Sequence, residues 1–114
     1  MTTSNARPVV SLCFATGDDF RANLERFLSL IAQSPEDAIV VAPEVCLSGF
    51  AYERFDEAAA FTAAALPELL EACGARLVIF TAITKEKGAF YNIAYALHNA
   101  KVLHRQGKAK LFAP

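Results

Sequence analysis

Three short apolar runs, separated by two stretches of helical period, dictate most of what this chain can become. Residues 7–16 (RPVVSLCFAT), 38–45 (AIVVAPEV) and 76–84 (RLVIFTAIT) are apolar at consecutive positions rather than alternate ones. Strands of that kind are buried on both faces, as in a parallel sheet. Between the first two runs, Phe20, Leu24, Phe27, Leu28 and Ile31 recur at offsets 0, 4, 7, 8 and 11, one stripe of an α-helix. Asp18 or Asp19 is placed to cap that helix, and Ser34-Pro35 ends it. Residues 55–75 are Ala- and Glu-rich and helical. Pro67 is expected to divide them into two helices or to start a second one, and Gly74 suits the C-terminal cap. A polar turn at residues 85–88 leads to a fourth strand, residues 90–98, and Asn99-Ala100 connects it to a fifth, residues 101–106.

The predicted order is β-α-β-α-β-β-β, an α/β fold with a mixed sheet. The first three strands, joined by helices, want parallel neighbours, and the last three want antiparallel hairpins. If both helices lie on one side, they cover only one face. The other face needs a second layer, and the chain has no further element to supply it. The sheet is therefore expected to meet another sheet, from the rest of a longer chain or from a partner.

Composition agrees with this reading. The 114 residues make about one domain. Hydrophobic residues are 54% and charged residues 20%, which excludes intrinsic disorder. The apolar excess points to surface meant for a partner or to a missing part of the same fold. No apolar run approaches the roughly 18–20 residues of a membrane helix, and residues 9–15 make a poor secretory signal. Cys13, Cys46 and Cys73 have no C-x-x-C spacing and no neighbouring His, so neither a zinc site nor a disulfide framework is expected. A cytoplasmic location fits such thiols. Residues 1–75 carry a net charge of −7 and residues 76–114 of +6. The basic residues are scattered between strand-like apolar positions, so they read as a solvated face. Nucleic-acid binding through them, with Phe80, Phe90, Tyr91, Tyr95 and Phe112 as stacking groups, is a weaker reading, because those aromatics alternate like core residues.

Few residues stand out for chemistry. Glu44 follows Pro43 at the end of an apolar run, and strand ends are where α/β sheets bind ligands. A partly desolvated carboxylate there suits a general base, although a Glu marking the strand's exit into solvent would look the same. Lys108 and Lys110 could stabilise developing negative charge, or lie on the surface. Cys46 would share an extended face with Glu44, but a thiol beside a carboxylate is not an activated pair. His98 and His104 could approach across a hairpin, with no carboxylate to orient either. The five glycines are isolated, so there is no phosphate loop.

Two stretches nevertheless resemble a known family. Residues 23–50, NLERFLSLIAQSPEDAIVVAPEVCLSGF, are similar to the N-terminal signature of the nitrilase, or carbon–nitrogen hydrolase, superfamily. Asn23-Leu24 opens the helix, Pro43-Glu44 ends the strand, and Leu47-Ser48-Gly49-Phe50 forms the turn. Tyr91-Asn92 and KVLHRQGKAKLF (residues 101–112) resemble the family's later strand and its Lys-x-x-Leu-Phe segment. Ile93 departs from the pattern, since a small or hydroxyl residue commonly follows Tyr-Asn, and Gln106-Gly107 departs more mildly.

The resemblance implies an αββα sandwich and a Cys-Glu-Lys hydrolase of non-peptide amides or nitriles, with no metal or organic cofactor. It places the general base on Glu44 and the lysine on Lys108, with Lys110 as the alternative. None of Cys13, Cys46 and Cys73 matches the position of the nucleophile. Residues 1–114 are thus expected to be the N-terminal half of one domain, inactive alone, with the missing half or a partner subunit completing it. Nitrilase, aliphatic amidase and carbamoyl-amine hydrolase activities all stay open. A homo-oligomer paired through outer helices is expected, with no nucleic-acid or membrane partner. The competing reading is a non-catalytic interaction module that binds a partner through its apolar sheet face.

Overall fold

The computed structural model describes residues 6–111. Its five strands are β1 (Val9–Ser11), β2 (Ile39–Val41), β3 (Leu77–Glu86), β4 (Ala89–His98) and β5 (Lys101–Leu111), and its helices are α1 (Phe20–Gln33) and α2 (Phe55–Cys73). The strands form one sheet in the order β1-β2-β3-β4-β5. β1, β2 and β3 are parallel, and β3, β4 and β5 are antiparallel. This is the predicted mixed sheet.

Each helix has a local cause. The Asp19 carboxylate accepts from the Ala22 N–H at 3.1 Å and caps α1. Its stripe of Leu24, Phe27 and Ile31 is fully buried. α2 carries Asp56 and Glu57 in its first turn, where negative charge meets the positive end of the helix dipole. It does not divide at Pro67, contrary to expectation. Ala65 and Leu69 flank the proline and are buried in the core, so packing on both sides of it offsets the lost backbone bond.

The strands also depart from expectation in length. β1 and β2 keep only three residues each, and β1 is an edge strand exposed at Val9 and Ser11. Pro43 has no N–H for a ladder, and the chain leaves the sheet just before it. β5 instead runs on to Leu111, so Lys108 and Lys110 lie within it. The two hairpin turns are tight: Lys87-Gly88 and Asn99-Ala100 take positive φ at both positions, as type I′ turns require.

The core lies on one side of the sheet. Val40 of β2, Val78, Phe80 and Ala82 of β3, and Ile93, Tyr95 and Leu97 of β4 pack with Leu24, Phe27, Ile31, Leu69 and Cys73 of the helices. Phe27 meets Phe80 edge-on at 5.8 Å, and Phe80 stacks on Tyr95 at 5.1 Å. The alternate residues face the other way. Val9 is 67% exposed, and Ile39, Val41, Leu77, Ile79, Ala94 and Ala96 are half-buried. Most of both helices therefore covers one face, and the second face is half-buried around β2 and the first half of β3 but buried at Ile83 and Asn92, where Ile83 packs with Phe20, Val45 and Phe55.

Candidate functional site

The turn after β2 carries Glu44. β2 pairs β3 only as far as Ile79, so beyond that point the edge of β3 is vacant. Residues 42–49 fill the vacancy. The Ala42 N–H donates to the Ile79 carbonyl at 2.9 Å, and the Val45 N–H to Thr81 Oγ1 at 2.7 Å. Val45 has φ 44°, a region a β-branched residue rarely enters and one that costs about 1–3 kcal/mol. Its buried side chain packs with Phe20, Phe55, Ala58 and Ile83, which helps hold it there. The turn closes at Gly49, whose φ of 65° suits glycine and whose N–H donates to the Val45 carbonyl at 2.7 Å.

Asn23 holds this turn from the side of α1. Its Nδ2 donates to the Leu47 and Gly17 carbonyls, each at 2.9 Å, and its Oδ1 accepts from the Gly17 N–H at 2.9 Å. One buried amide thus ties the loop before α1 to the turn that carries Glu44. Asn23 was legible as the opening of a motif, but not in this role.

Glu44 does not lie at a strand end. It sits three residues beyond β2, in the turn, and its side chain is 50% exposed, more open than its position in the sequence suggests. Two donors converge on its Oε1: Lys108 Nζ at 3.2 Å and Asn92 Nδ2 at 3.0 Å. Register explains both. Asn92 stands opposite Ile83 of β3 and Ala109 of β5, on the side away from Ile93 and Tyr95, where Ile83 packs with Val45 and with Phe55 at the start of α2. Between the pairs Asn92↔Ala109 and Ile93↔Gly107 the ladder slips by one residue, and the extra residue is Lys108. A regular ladder would set Lys108 opposite Ile93, on the helix-covered face. The β-bulge re-aims it toward Glu44. Lys110 stands opposite Tyr91, which packs against the helix-covered core. Phe112, the end of the Lys-x-x-Leu-Phe segment, lies outside the described residues.

The remaining candidates do not join this group. Cys46 does not share an extended face with Glu44, because residues 44–48 form a turn. Its thiol is fully buried, and that burial pushes its pKa up to about 12, which leaves no thiolate at neutral pH. Cys73 is buried and Cys13 exposed. His98 Nδ1 lies 3.3 Å from the Arg76 carbonyl, whereas His104 Nε2 lies 3.4 Å from Gln106 Oε1, so the histidines do not pair. Among the described residues, no cluster of three or more His, Cys, Asp and Glu could hold a metal ion, and no helix is long and apolar enough to cross a membrane.

A carboxylate bonded to a lysine on the open face of a half-covered α/β sheet is equipped for proton transfer and for stabilising an oxyanion. Glu44 is not enclosed here. A cleft of about 550 Å³ lies elsewhere, lined by residues that include Tyr52, Arg54, Phe55 and Phe90.

No protein-family model and no curated protein matches this sequence. Solved structures do share the fold. A glutamine-dependent NAD(+) synthetase from Cytophaga hutchinsonii is 23% identical with a TM-score of 0.75, over 88% of this chain and 18% of that one. A carbon–nitrogen hydrolase superfamily protein from Xanthomonas campestris, with an arsenic adduct in its active site, is 18% identical with a TM-score of 0.67, over 93% and 39%. A carbon–nitrogen hydrolase from Helicobacter pylori is 20% identical with a TM-score of 0.62, over 90% and 39%. The chain thus has the fold of part of a nitrilase-type sandwich. It spans about a fifth of the synthetase and about two-fifths of the hydrolases.

Proposed function

We propose that this chain is the N-terminal part of a carbon–nitrogen hydrolase and supplies two of its three catalytic groups, Glu44 and Lys108. The observation that carries the reading is the bulge that brings Lys108 Nζ within 3.2 Å of Glu44 Oε1. The fold shared with carbon–nitrogen hydrolases supports it. The nucleophile is a cysteine contributed by the second half of the sandwich.

In this reaction Glu44 takes the thiol proton and the thiolate attacks an amide or nitrile carbon. Lys108 stabilises the negative charge that develops on the former carbonyl oxygen or nitrile nitrogen. With an amide substrate, protonated Glu44 returns its proton to the leaving amine. It then removes one from the water that releases the acyl group. An amide is preferred over a nitrile. The glutamine dependence of the similar NAD(+) synthetase is in keeping with a carboxamide substrate. Alone, the chain is inactive. Cytoplasmic location and a homo-oligomer belong to the same proposal.

The test is hydrolysis by the chain assembled with a C-terminal half of this fold, against a panel of small amides and nitriles. Turnover should be abolished by thiol alkylation and lowered about 10²–10⁴-fold by Glu44→Gln. Turnover that survives alkylation and Glu44→Gln at full rate sinks the proposal. No turnover at all would instead favour the non-catalytic interaction module, for which the half-buried residues Ile39, Val41, Leu77 and Ile79 are the supporting feature.

A further inference from the structure

We infer that Asn92 is the positioning residue for Glu44, fixing which carboxylate oxygen is held and which is left to take a proton. The inference rests on the proposed role of Glu44 and adds a residue to it. Asn92 is 3% exposed, in a strand otherwise filled with apolar and aromatic side chains. A buried amide in such a place is costly unless bonded. Its Nδ2 bonds Glu44 Oε1 at 3.0 Å, and its Oδ1 is buried with no partner among the described residues. Packing alone does not explain that choice, because leucine has nearly the same shape and no polar atoms to satisfy. An unpaired buried acceptor costs about 1–3 kcal/mol. A side chain kept at such a cost is typical of a functional position.

The geometry specifies the task. Lys108 approaches Oε1 from the end of a long, 47% exposed side chain. Its ammonium can swing away to meet substrate. Asn92 cannot swing, since its ring of neighbours, Ile83 across β3 and Ala109 across β5, is fixed by the sheet register. The amide therefore keeps Oε1 in place when the lysine leaves it, and Oε2 is the oxygen on which the thiol proton arrives.

The test needs no substrate and uses the 114-residue chain. The Asn92 side-chain amide resonances should shift in Glu44→Gln relative to the parent chain. In Asn92→Leu, midpoint denaturant concentration should hold or rise, while the Glu44 carboxyl ¹³C signal shifts from its wild-type position. Asn92 amide resonances that ignore Glu44→Gln would overturn the inference. So would Asn92→Leu that leaves the Glu44 signal in place, since Asn92 would then serve the fold alone. If these couplings appear but the assembled enzyme hydrolyses nothing, the hydrolase proposal fails while the Asn92–Glu44 link stands.

Discussion

The two faces of the sheet solve different problems. Under the helices, Leu24, Phe27, Val40, Leu69, Val78 and Leu97 are fully buried and interlocked. On the other side, Ile39, Val41, Leu77 and Ile79 are only half-buried, and Glu44, Asn92 and Lys108 come together. The helix-covered side holds the fold, while the other side brings these polar groups together. The same alternation along β3 and β4 serves both, one residue to each side.

This division can be broken by substitution. The largest stability effect should come from Phe27→Ala beneath the helices, about 3–5 kcal/mol by denaturant unfolding. That is a large share of the roughly 5–15 kcal/mol a domain possesses. Glu44→Gln on the open face should stay within about 0.5 kcal/mol, because its carboxylate is half exposed. If the two substitutions cost the same, the faces do not differ as described. A smaller loss, about 2–3 kcal/mol, is expected for Asn23→Ala, which orphans the Leu47 carbonyl and both polar groups of Gly17. Hydrogen exchange should then speed up at residues 44–49 before it does in β3. Uniform acceleration would mean that Asn23 does not act on that turn.

The cysteines sharpen the comparison further. Burial raises the Cys46 thiol from an ordinary value near 9 to about 12, so folding favours its protonated form. That contribution is intact below pH 9 and is lost as the pH climbs from about 9 toward about 12. The loss reaches at most about 1.4 kcal/mol per pH unit. Cys46→Ala should flatten this part of the stability profile relative to the parent chain. Exposed Cys13 should be alkylated at pH 8 while Cys46 is spared. Equal labelling of both would show that the turn opens readily.

Much of this was legible from residues alone. The consecutive apolar runs foretold parallel strands with helices on one side. The α1 stripe could be read directly, and its cap was narrowed to Asp18 or Asp19, of which the structure uses Asp19. Pro67 misled because intrinsic propensity knows nothing of Ala65 and Leu69 packing around it. The span of β5 was hidden for a related reason. It is exposed at every position up to Lys110, so no apolar alternation marks its register, and nothing local announces a bulge at Lys108. Asn92 did leave a signal, a lone amide inside an apolar strand, but only the register shows that it faces Glu44.

The central claim is that Glu44 and Lys108 act as one unit on the open face. A double-mutant cycle on kcat/KM for amide hydrolysis by the assembled enzyme tests it most directly. Glu44→Gln and Lys108→Met should each cost about 10²–10³-fold or more, and the double variant little beyond the worse single one, as groups acting together are strongly non-additive. Full activity in either single variant, or losses that simply multiply, would contradict it.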